Sequence, residues 1–352
     1  MEFGIQFFPD VGPEHKAADV YFNECLALVD LVDRYGYSHV RIVEHYFHYY
    51  GGYSPNPVVF LAAAAQRTKT ARLITGAVLP VFNHPLKLAG ELAMLDALSN
   101  GRLEAGFARA FLPHEYARFG IDVNESRARF EEGMEQVRRL LEDERVAMTG
   151  KFHSFPETTS LPRPTQKPRP PFWVAALATP DSFVNAGKAG HSVMAIPMAG
   201  GQMRELIGQY REAWRTAGHP GQGRVMLAFH MLCAETMDAA VAVAREPLNG
   251  YLKSLVDAAS DWLTGTSSKD YPNYDKVIAG LQAETFESQL AKHAAWVGTP
   301  DTIREQIVEF NRVVGGFEIA SLQVNFNQVP LEPARRSMAL FAERVMPGFR
   351  TV

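Results

Sequence analysis

The sequence has few cysteines and no long apolar runs. Its only two cysteines, Cys25 and Cys233, lie far apart within apolar segments of the 352-residue chain. A disulfide framework is therefore not expected, and the pattern predicts buried free thiols in a reducing compartment. No stretch reaches the roughly 18 uninterrupted apolar residues of a membrane span, and the N-terminus lacks the basic and apolar regions of a signal peptide. These absences predict a cytoplasmic protein without a membrane segment.

The chain also lacks an excess of positive charge. It carries 35 lysines and arginines against 39 aspartates and glutamates, which gives a formal net charge of −4. The basic residues are scattered along the sequence, whereas binding to nucleic acid requires a concentrated basic surface. Nucleic acid is therefore not expected as the main partner.

Several site motifs are missing as well. No GxGxxG follows a strand and no GxxxxGK[ST] occurs, so the fingerprints of dinucleotide and triphosphate sites are absent. His45 and His48 are three residues apart, but no cluster of cysteine, histidine or aspartate elsewhere completes a set of metal ligands. No metal is expected. The Schiff-base lysine of an aldolase and the paired carboxylates of a barrel hydrolase are not found at strand ends either.

What the sequence does contain is an alternation of short apolar strands with helices. The strands are read at residues 2–8, 38–43, 71–79, 102–107, 172–176, 192–196, 224–233 and 319–324. The helices between them supply the crossover connections that parallel strands require. We therefore predict an α/β fold, a single (β/α)8 TIM barrel domain with insertions over residues 1–352, with an open doubly wound sheet as the alternative.

Some segments interrupt the alternation. Residues 110–124 are predicted to be an irregular insertion, residues 125–144 a long amphipathic helix, and residues 145–155 a short hairpin. Residues 161–171 contain five prolines and are predicted to be a stiff connector on the surface. Residues 260–289 are polar, and so long an irregular segment in a compact fold is usually a lid or disordered. We predict a mobile lid at about 260–289.

Titratable groups follow the second strand directly. The segment Val40 to Pro57 reads VRIVEHYFHYYGGYSPNP, so Glu44 and His45 stand where the strand emerges into a loop. In an α/β barrel such positions face an open pocket. We predict that His45 gives or takes a proton there, while Glu44 either orients it or points away. The alternative is a strand end whose histidines only form hydrogen bonds with nearby backbone.

A second group of residues predicts an anion site. Thr179-Pro180-Asp181-Ser182 follows the fifth strand and begins a helix, whose free N–H groups and hydroxyls are suited to a phosphate. Arg109 follows the fourth strand and is placed to neutralise that phosphate. An ordinary capping motif and a surface ion pair explain the same residues. Without nucleotide fingerprints, a mononucleotide with one phosphate and a flat ring fits best.

Six stretches, taken in order, resemble the bacterial luciferase-like family of flavin-dependent monooxygenases. They are VEHYFHYYGGYSPNP, GAVLPVFNHPLKLAGELAMLDALSNGRLEAGFARA, ARFGID, PPFWVAALATPDSF, WVGTPDTI and MALFAERVMPGF. The resemblance runs from Phe3 to Phe349. It implies a (β/α)8 barrel, usually a homodimer, that binds reduced FMN (FMNH2) supplied by a separate NAD(P)H:flavin reductase. O2 then forms a C4a-peroxyflavin, which oxygenates a small organic molecule, as in natural-product tailoring.

The same resemblance implies roles for individual residues. His45 matches the catalytic histidine, Thr75-Gly76 matches a non-prolyl cis peptide beside the flavin ring, and residues 260–289 match a mobile loop over the site. The residues that it assigns to cofactor binding are Thr75, Gly76, Arg109, Ala178, Thr179 and Ser182.

Two departures from the family pattern argue against light emission and long-chain aldehyde oxidation. Tyr46 replaces the second histidine of the frequent Glu-His-His, and Ala108 replaces a cysteine of the light-emitting luciferases. We predict that Tyr46, His48 and Tyr50 line the pocket of a larger or more polar substrate, although such rings are often plain packing. Two alternatives stay open: a deazaflavin-dependent oxidoreductase that transfers hydride, and a non-catalytic flavin-binding homologue.

Overall fold

The computed structural model describes residues 1–177, 179–197 and 200–349. Its strands are β1 (Glu2–Phe7), β2 (His39–Ile42), β3 (Arg72–Thr75), β4 (Leu103–Phe107), β5 (Val146–Met148), β6 (Phe155–Thr158), β7 (Phe172–Ala175), β8 (Ser192–Ala195), β9 (Val225–Cys233), β10 (Ala295–Gly298) and β11 (Ile319–Gln323). Eight of them pair side by side in parallel, in the order β1, β2, β3, β4, β7, β8, β9, β11, and β11 returns to β1. The predicted (β/α)8 barrel is confirmed.

Helices surround the barrel. They are α1 (Ala18–Val29), α2 (Val32–Tyr35), α3 (Pro57–Arg67), α4 (Pro85–Leu98), α5 (Pro113–Phe119), α6 (Ser126–Glu142), α7 (Pro180–Lys188), α8 (Gly200–Thr216), α9 (Met237–Ala258), α10 (Tyr274–Gln282), α11 (Phe286–Ala291), α12 (Pro300–Val314) and α13 (Leu331–Arg344). Because helices cover the outside and side chains fill the inside, the barrel strands are buried on both faces. This burial explains why they read as nearly continuous apolar runs.

One strand beside the barrel was not predicted from the sequence. β9 is nine residues long, and its first half pairs with β8 and β11. Its second half pairs with β10, where Ala295 lies opposite His230 and Gly298 opposite Cys233. The four residues AWVG of β10 are too few to give a periodic signal.

Two segments that were expected to be irregular contain helices. α5 lies within the insertion 110–124, and α10 and the start of α11 lie within residues 260–289. The nine residues of α10 bury Tyr274 and Ile278 on one face, a pattern too short to stand out in a polar stretch. The hairpin after α6 is confirmed, since β5 and β6 pair antiparallel.

The interior of the barrel holds one polar layer near the C-terminal ends of its strands. Gln6 of β1 is in register with Arg41 of β2 and with Gln323 of β11, which is in register with His230 of β9. In-register residues of parallel strands share a face of the sheet, so these four side chains lie in one row. We call Arg41, Gln6, Gln323 and His230 the polar row.

Two expectations about the chain as a whole can be compared with the structure. Cys25 and Cys233 are both buried and unpaired, as predicted. Within the described ranges, no helix is long and apolar enough to cross a membrane.

Candidate active site

An open cavity, here called the mouth cavity, lies at the C-terminal ends of the barrel strands. It contains about 1110 Å³ of space that protein atoms do not fill, part of it open to solvent. The predicted site residues that line it are Glu44, His45, Tyr50, Gly76, Arg109, Thr179 and Ser182. Ala178 lies outside the described residues.

His45 is held by a carboxylate that the sequence did not indicate. Its Nδ1 lies 3.0 Å from Oε1 of Glu115 on α5, and Glu115 is fully buried. The same oxygen accepts a hydrogen bond of 2.8 Å from the N–H of Tyr46. An ionised carboxylate can only accept, so Nδ1 of a neutral His45 carries the proton and Nε2 keeps its lone pair. The arrangement therefore prepares Nε2 to accept a proton at the cavity wall.

The glycine turn after β2 leaves space for this histidine. Gly51 has a φ of +83°, and a Cβ built on it would lie 2.7 Å from Cβ of His45. A side chain at this position would be strained and would displace the imidazole. The rings of Phe8, Tyr50 and Phe111 surround His45 at centroid distances of 5.5, 5.5 and 6.1 Å. These contacts restrict both the ring orientation and the access of water.

Glu44 points away from His45, which was one of the two predicted orientations. Its carboxylate accepts hydrogen bonds from the hydroxyl of Tyr46, from Nδ2 of Asn83 (2.9 Å) and from the N–H of Leu79 (3.1 Å). Burial raises the pKa of Glu44 to about 8 and outweighs these three donors, which favour the charged form. Glu44 is thus a cavity-lining group that changes charge close to neutral pH.

The three predicted substrate residues are placed differently. Tyr50 lines the mouth cavity, and its hydroxyl lies 3.2 Å from that of Tyr251. Tyr46 packs against Phe119 at a centroid distance of 4.9 Å, and its hydroxyl is occupied by Glu44. His48 accepts a hydrogen bond of 3.1 Å from the N–H of Tyr50. Tyr46 and His48 are not among the residues that form the cavity wall.

The cis peptide bond lies one position later than the resemblance implied. It joins Gly76 and Ala77, not Thr75 and Gly76. The hydroxyl of Thr75 instead ties β3 to β4, because it donates to the carbonyl of Gly106 (2.9 Å) and accepts from its N–H (2.7 Å). The carbonyl of Gly76 accepts a hydrogen bond of 3.0 Å from Nη2 of Arg41.

Basic and hydroxyl groups gather at the other side of the cavity. Thr179 is the N-cap of α7, but its hydroxyl makes no capping hydrogen bond. Arg109 donates to the carbonyl of Asp270 (3.1 Å), and its guanidinium lies 4.7 Å from the ring centroid of Tyr271. A neighbouring cavity lined by Arg127 shares Arg109 with the mouth cavity. Over the ranges that the structure covers, Arg109 forms no ion pair, so a surface ion pair does not account for its position.

The segment 260–289 covers this side of the cavity. The side chain of Asp270 accepts hydrogen bonds from Oγ of Ser126 (3.1 Å) and from the N–H of Arg127 (3.0 Å). Tyr271 and Tyr274 line the cavity. The predicted lid is therefore attached to the start of α6 and beside Arg109, and its mobility stays a prediction.

The sequence reasoning missed Glu115 and the polar row. Glu115 is 70 residues from His45, and no spacing rule connects a histidine and a glutamate at that distance. For the parts of the chain that the structure describes, no group of three or more His, Cys, Asp or Glu residues is placed to hold a metal ion.

Known proteins are similar to the chain over most of its length. Residues 1–315 match the sequence model of the luciferase-like monooxygenases. The oxygenase component of the flavin-dependent trigonelline monooxygenase of Acinetobacter baylyi is 31% identical over 319 residues, which cover 90% of this chain and 82% of that protein.

Solved structures of monooxygenases also match the chain over nearly its whole length. The monooxygenase RslO1 of Streptomyces bottropensis is 43% identical with a TM-score of 0.88, and the match covers 99% of this chain and 100% of that chain. The oxygenating constituent of 3,6-diketocamphane monooxygenase from Pseudomonas putida, solved with FMN, shares the fold at 24% identity with a TM-score of 0.80 over 99% of this chain and 98% of that chain.

Proposed function

Since the chain belongs to the luciferase-like monooxygenase family and is a flavin-dependent monooxygenase, we propose that it uses reduced FMN and O2 to oxygenate an organic small molecule. We also propose that a separate NAD(P)H:flavin reductase delivers the flavin, because the relative from Acinetobacter baylyi is named as an oxygenase component. Bound reduced flavin would supply the electrons that activate O2. A homodimer is expected from the family resemblance, and sedimentation analysis tests it.

The observation that carries the proposal is the set of donors at one end of the mouth cavity. Arg109 makes no ion pair within the described ranges, the hydroxyl of Thr179 is not used for capping, and Ser182 lines the same wall. Together with the N-terminus of α7, these groups suit a phosphate monoester. The rest of the cavity is lined mainly by apolar side chains, which suit a flat ring system. The residues present therefore fit FMN. Arg127, which lies 3.8 Å from Asp181 of α7, is nearby.

His45 is the residue that we assign to proton transfer. Glu115 holds Nδ1 of the imidazole, so Nε2 is the atom that can accept a proton from the substrate or the flavin and return it. Glu44 does not orient this ring. We propose that Glu44 instead sets the charge of the cavity wall, through a proton that burial retains up to about pH 8.

Flavin binding tests the phosphate assignment. We expect Arg109→Ala to weaken the binding of FMN by about tenfold or more, since charge-assisted hydrogen bonds contribute roughly 1.5–3 kcal/mol, and to change riboflavin binding much less. Fluorescence titration with both flavins measures this difference. Equal losses for FMN and riboflavin would show that Arg109 does not bind the phosphate.

A second titration addresses the cofactor itself. Purified protein is titrated anaerobically with reduced FMN and with the deazaflavin F420. Binding of reduced FMN followed by oxygen-dependent product formation supports the monooxygenase assignment. Binding of F420 alone, with hydride transfer that needs no oxygen, would favour the alternative oxidoreductase.

A further inference from the structure

A second chamber adjoins the mouth cavity beneath α10. It contains about 1290 Å³ of space not filled by protein atoms, part of it open to solvent. Gln6, Tyr251 and Leu281 line both spaces, so only single side chains separate them. A ligand in this second space would therefore lie directly beside a cofactor in the mouth cavity. We call this second space the side chamber.

The hydrogen-bonded part of the polar row ends at Gln323, which lines the side chamber and whose amide nitrogen lacks a partner among the described residues. Arg41 donates to Oε1 of Gln6 through Nη1, and a guanidinium can only donate. Gln6 must therefore direct its oxygen at Arg41 and its Nε2 at Oε1 of Gln323, 3.4 Å away. This order leaves Nε2 of Gln323 as the last donor of the row. Gln323 is 1% exposed, and its Nε2 has no hydrogen-bond partner among the described residues.

Gln323 and His230, two members of the polar row that line the side chamber, are polar without being charged. His230 lines it beside Gln323, and burial lowers the pKa of His230 to about 3, so its ring is neutral at physiological pH. Its Nε2 is likewise without a partner in the described part of the chain. Tyr251 and Phe326 pack against the ring edge-to-face at centroid distances of 4.4 and 5.0 Å.

The charged groups of the chamber belong to the segment outside the barrel. Lys276 lies on α10 and is exposed, and Lys292 is paired with Glu284. A ligand that enters past this charged rim meets aromatic rings and neutral hydrogen-bonding groups at the barrel wall. Such a wall disfavours a cation, because Arg41 already places a buried positive charge in the polar row. Among the described residues, the barrel wall of the chamber itself offers no charged side chain to pair with an anion.

We propose that the side chamber is the substrate site and takes a neutral organic molecule whose carbonyl or other acceptor oxygen is bound by Nε2 of Gln323. A buried donor without a partner destabilises the fold, so its presence at a chamber wall is explained by a ligand that completes it. Arg41 polarises the row from its far end and strengthens the last donor. The proposal rests on the proposed function, in which the mouth cavity holds the flavin.

The test compares ketones with hydrocarbons of the same skeleton. The FMN-loaded protein is titrated calorimetrically with 1-tetralone against tetralin, and with 1-indanone against indane. We expect the ketones to bind about five- to tenfold more tightly than the hydrocarbons, as one neutral hydrogen bond provides. The infrared carbonyl band of bound 1-tetralone should also move to lower frequency. A residue with a merely structural role would not affect that band.

Variants of Gln323 test whether this side chain causes the ketone preference and the infrared shift. Gln323→Met keeps the length of the side chain without the donor, and Gln323→Glu offers an acceptor in its place, so either variant should abolish both the ketone preference and the infrared shift. Lys276→Met is the matched control at the rim of the same chamber and should retain both. FMN binding should change less than twofold in all three, since neither Gln323 nor Lys276 lines the mouth cavity.

Several outcomes would overturn the proposal. They are equal binding of ketone and hydrocarbon by the wild-type protein, no binding of the ketones, and a preference that survives both substitutions of Gln323. The same titrations without flavin separate the two proposals. Ketone binding that depends on Gln323, in a protein that does not bind FMN, would support the ketone site and overturn the flavin assignment.

Discussion

The two ends of the barrel treat buried charge differently. At the lower end, where the strands begin, Oε1 of Glu104 lies 3.1 Å from Nε of Arg72 and 3.3 Å from Nη1 of Arg224. Oε2 of Glu104 also accepts a hydrogen bond of 2.6 Å from the indole of the fully buried Trp173. At the upper end, Arg41 is buried with only Gln6 and the carbonyl of Gly76 as hydrogen-bond acceptors. Within the described residues it has no carboxylate partner.

This difference suggests that the lower end of the barrel serves stability and the upper end serves function. A buried charge without a counter-charge is costly, and the lower end avoids that cost with an ion cluster. Burial lowers the pKa of Arg41 only to about 10, so the upper end retains a positive charge at the cavity wall. Active sites of barrel enzymes lie at this end, whereas the opposite end serves stability. The unbalanced end is thus the one where a ligand is expected to complete the interactions.

The largest effect should come from His45 at the upper end. We expect His45→Ala to reduce product formation by about 10²–10⁴-fold, the usual contribution of a general acid or base, while the protein still binds FMN and unfolds near the wild-type temperature. Steady-state kinetics with an accepted substrate, flavin titration and thermal unfolding measure the three quantities. His48→Ala is the control, since His48 does not line the mouth cavity. Unchanged turnover in His45→Ala would remove the proton-transfer role.

A substitution at the lower end of the barrel should instead reduce stability. We expect Glu104→Ala to lower the free energy of unfolding by about 2–3 kcal/mol, because it leaves two arginines and an indole without their acceptor. The value is below that of a fully buried pair because both arginines are partly exposed.

Arg41 provides the matched variant at the upper end. Replacing an unpaired buried cation by an apolar side chain of similar length removes a desolvation cost, so Arg41→Met should change the unfolding free energy by less than about 1 kcal/mol. Urea unfolding compares the two variants. Equal destabilisation by the two variants would mean that Arg41 is a structural residue and that both ends of the barrel serve stability.

The barrel itself could be predicted from the sequence because its signals are local. Apolar runs such as Leu103–Phe107 alternate with helices at regular spacing, and the crossover rule then leaves few arrangements. β10 and α10 were not predicted because their local sequence signals are weak. The four residues of β10 and the nine of α10 carry too little periodicity, because their burial depends on contacts with residues distant in sequence. In β10, for example, the ring centroid of Trp296 lies 3.9 Å from that of Phe229.

The candidate site could be predicted only where a motif stands at a strand end. His45, Arg109 and Thr179 each follow a strand, and the structure brings all three to the mouth cavity. Glu115 and Gln323 carry no such mark. Their partners, His45 and Gln6, are 70 and 317 residues away, so the pairs exist only through the strand register and the position of α5.

The last expected effect concerns the pH dependence of stability through Glu44. Its folded pKa of about 8 lies above the usual 4.5, so the unfolded chain releases this proton first. The stability that Glu44 contributes is therefore complete below pH 4.5 and is lost as the pH rises towards 8, at about 1 kcal/mol per pH unit. Urea unfolding of the wild type and Glu44→Gln at pH 5.5, 6.5 and 7.5 should show the wild type losing stability relative to the variant. Glu205→Gln, a substitution of an exposed glutamate, is the control. If the stability profiles of the wild type and Glu44→Gln run parallel, Glu44 is ionised in the folded protein. Its three hydrogen-bond donors, and not burial, would then decide its charge.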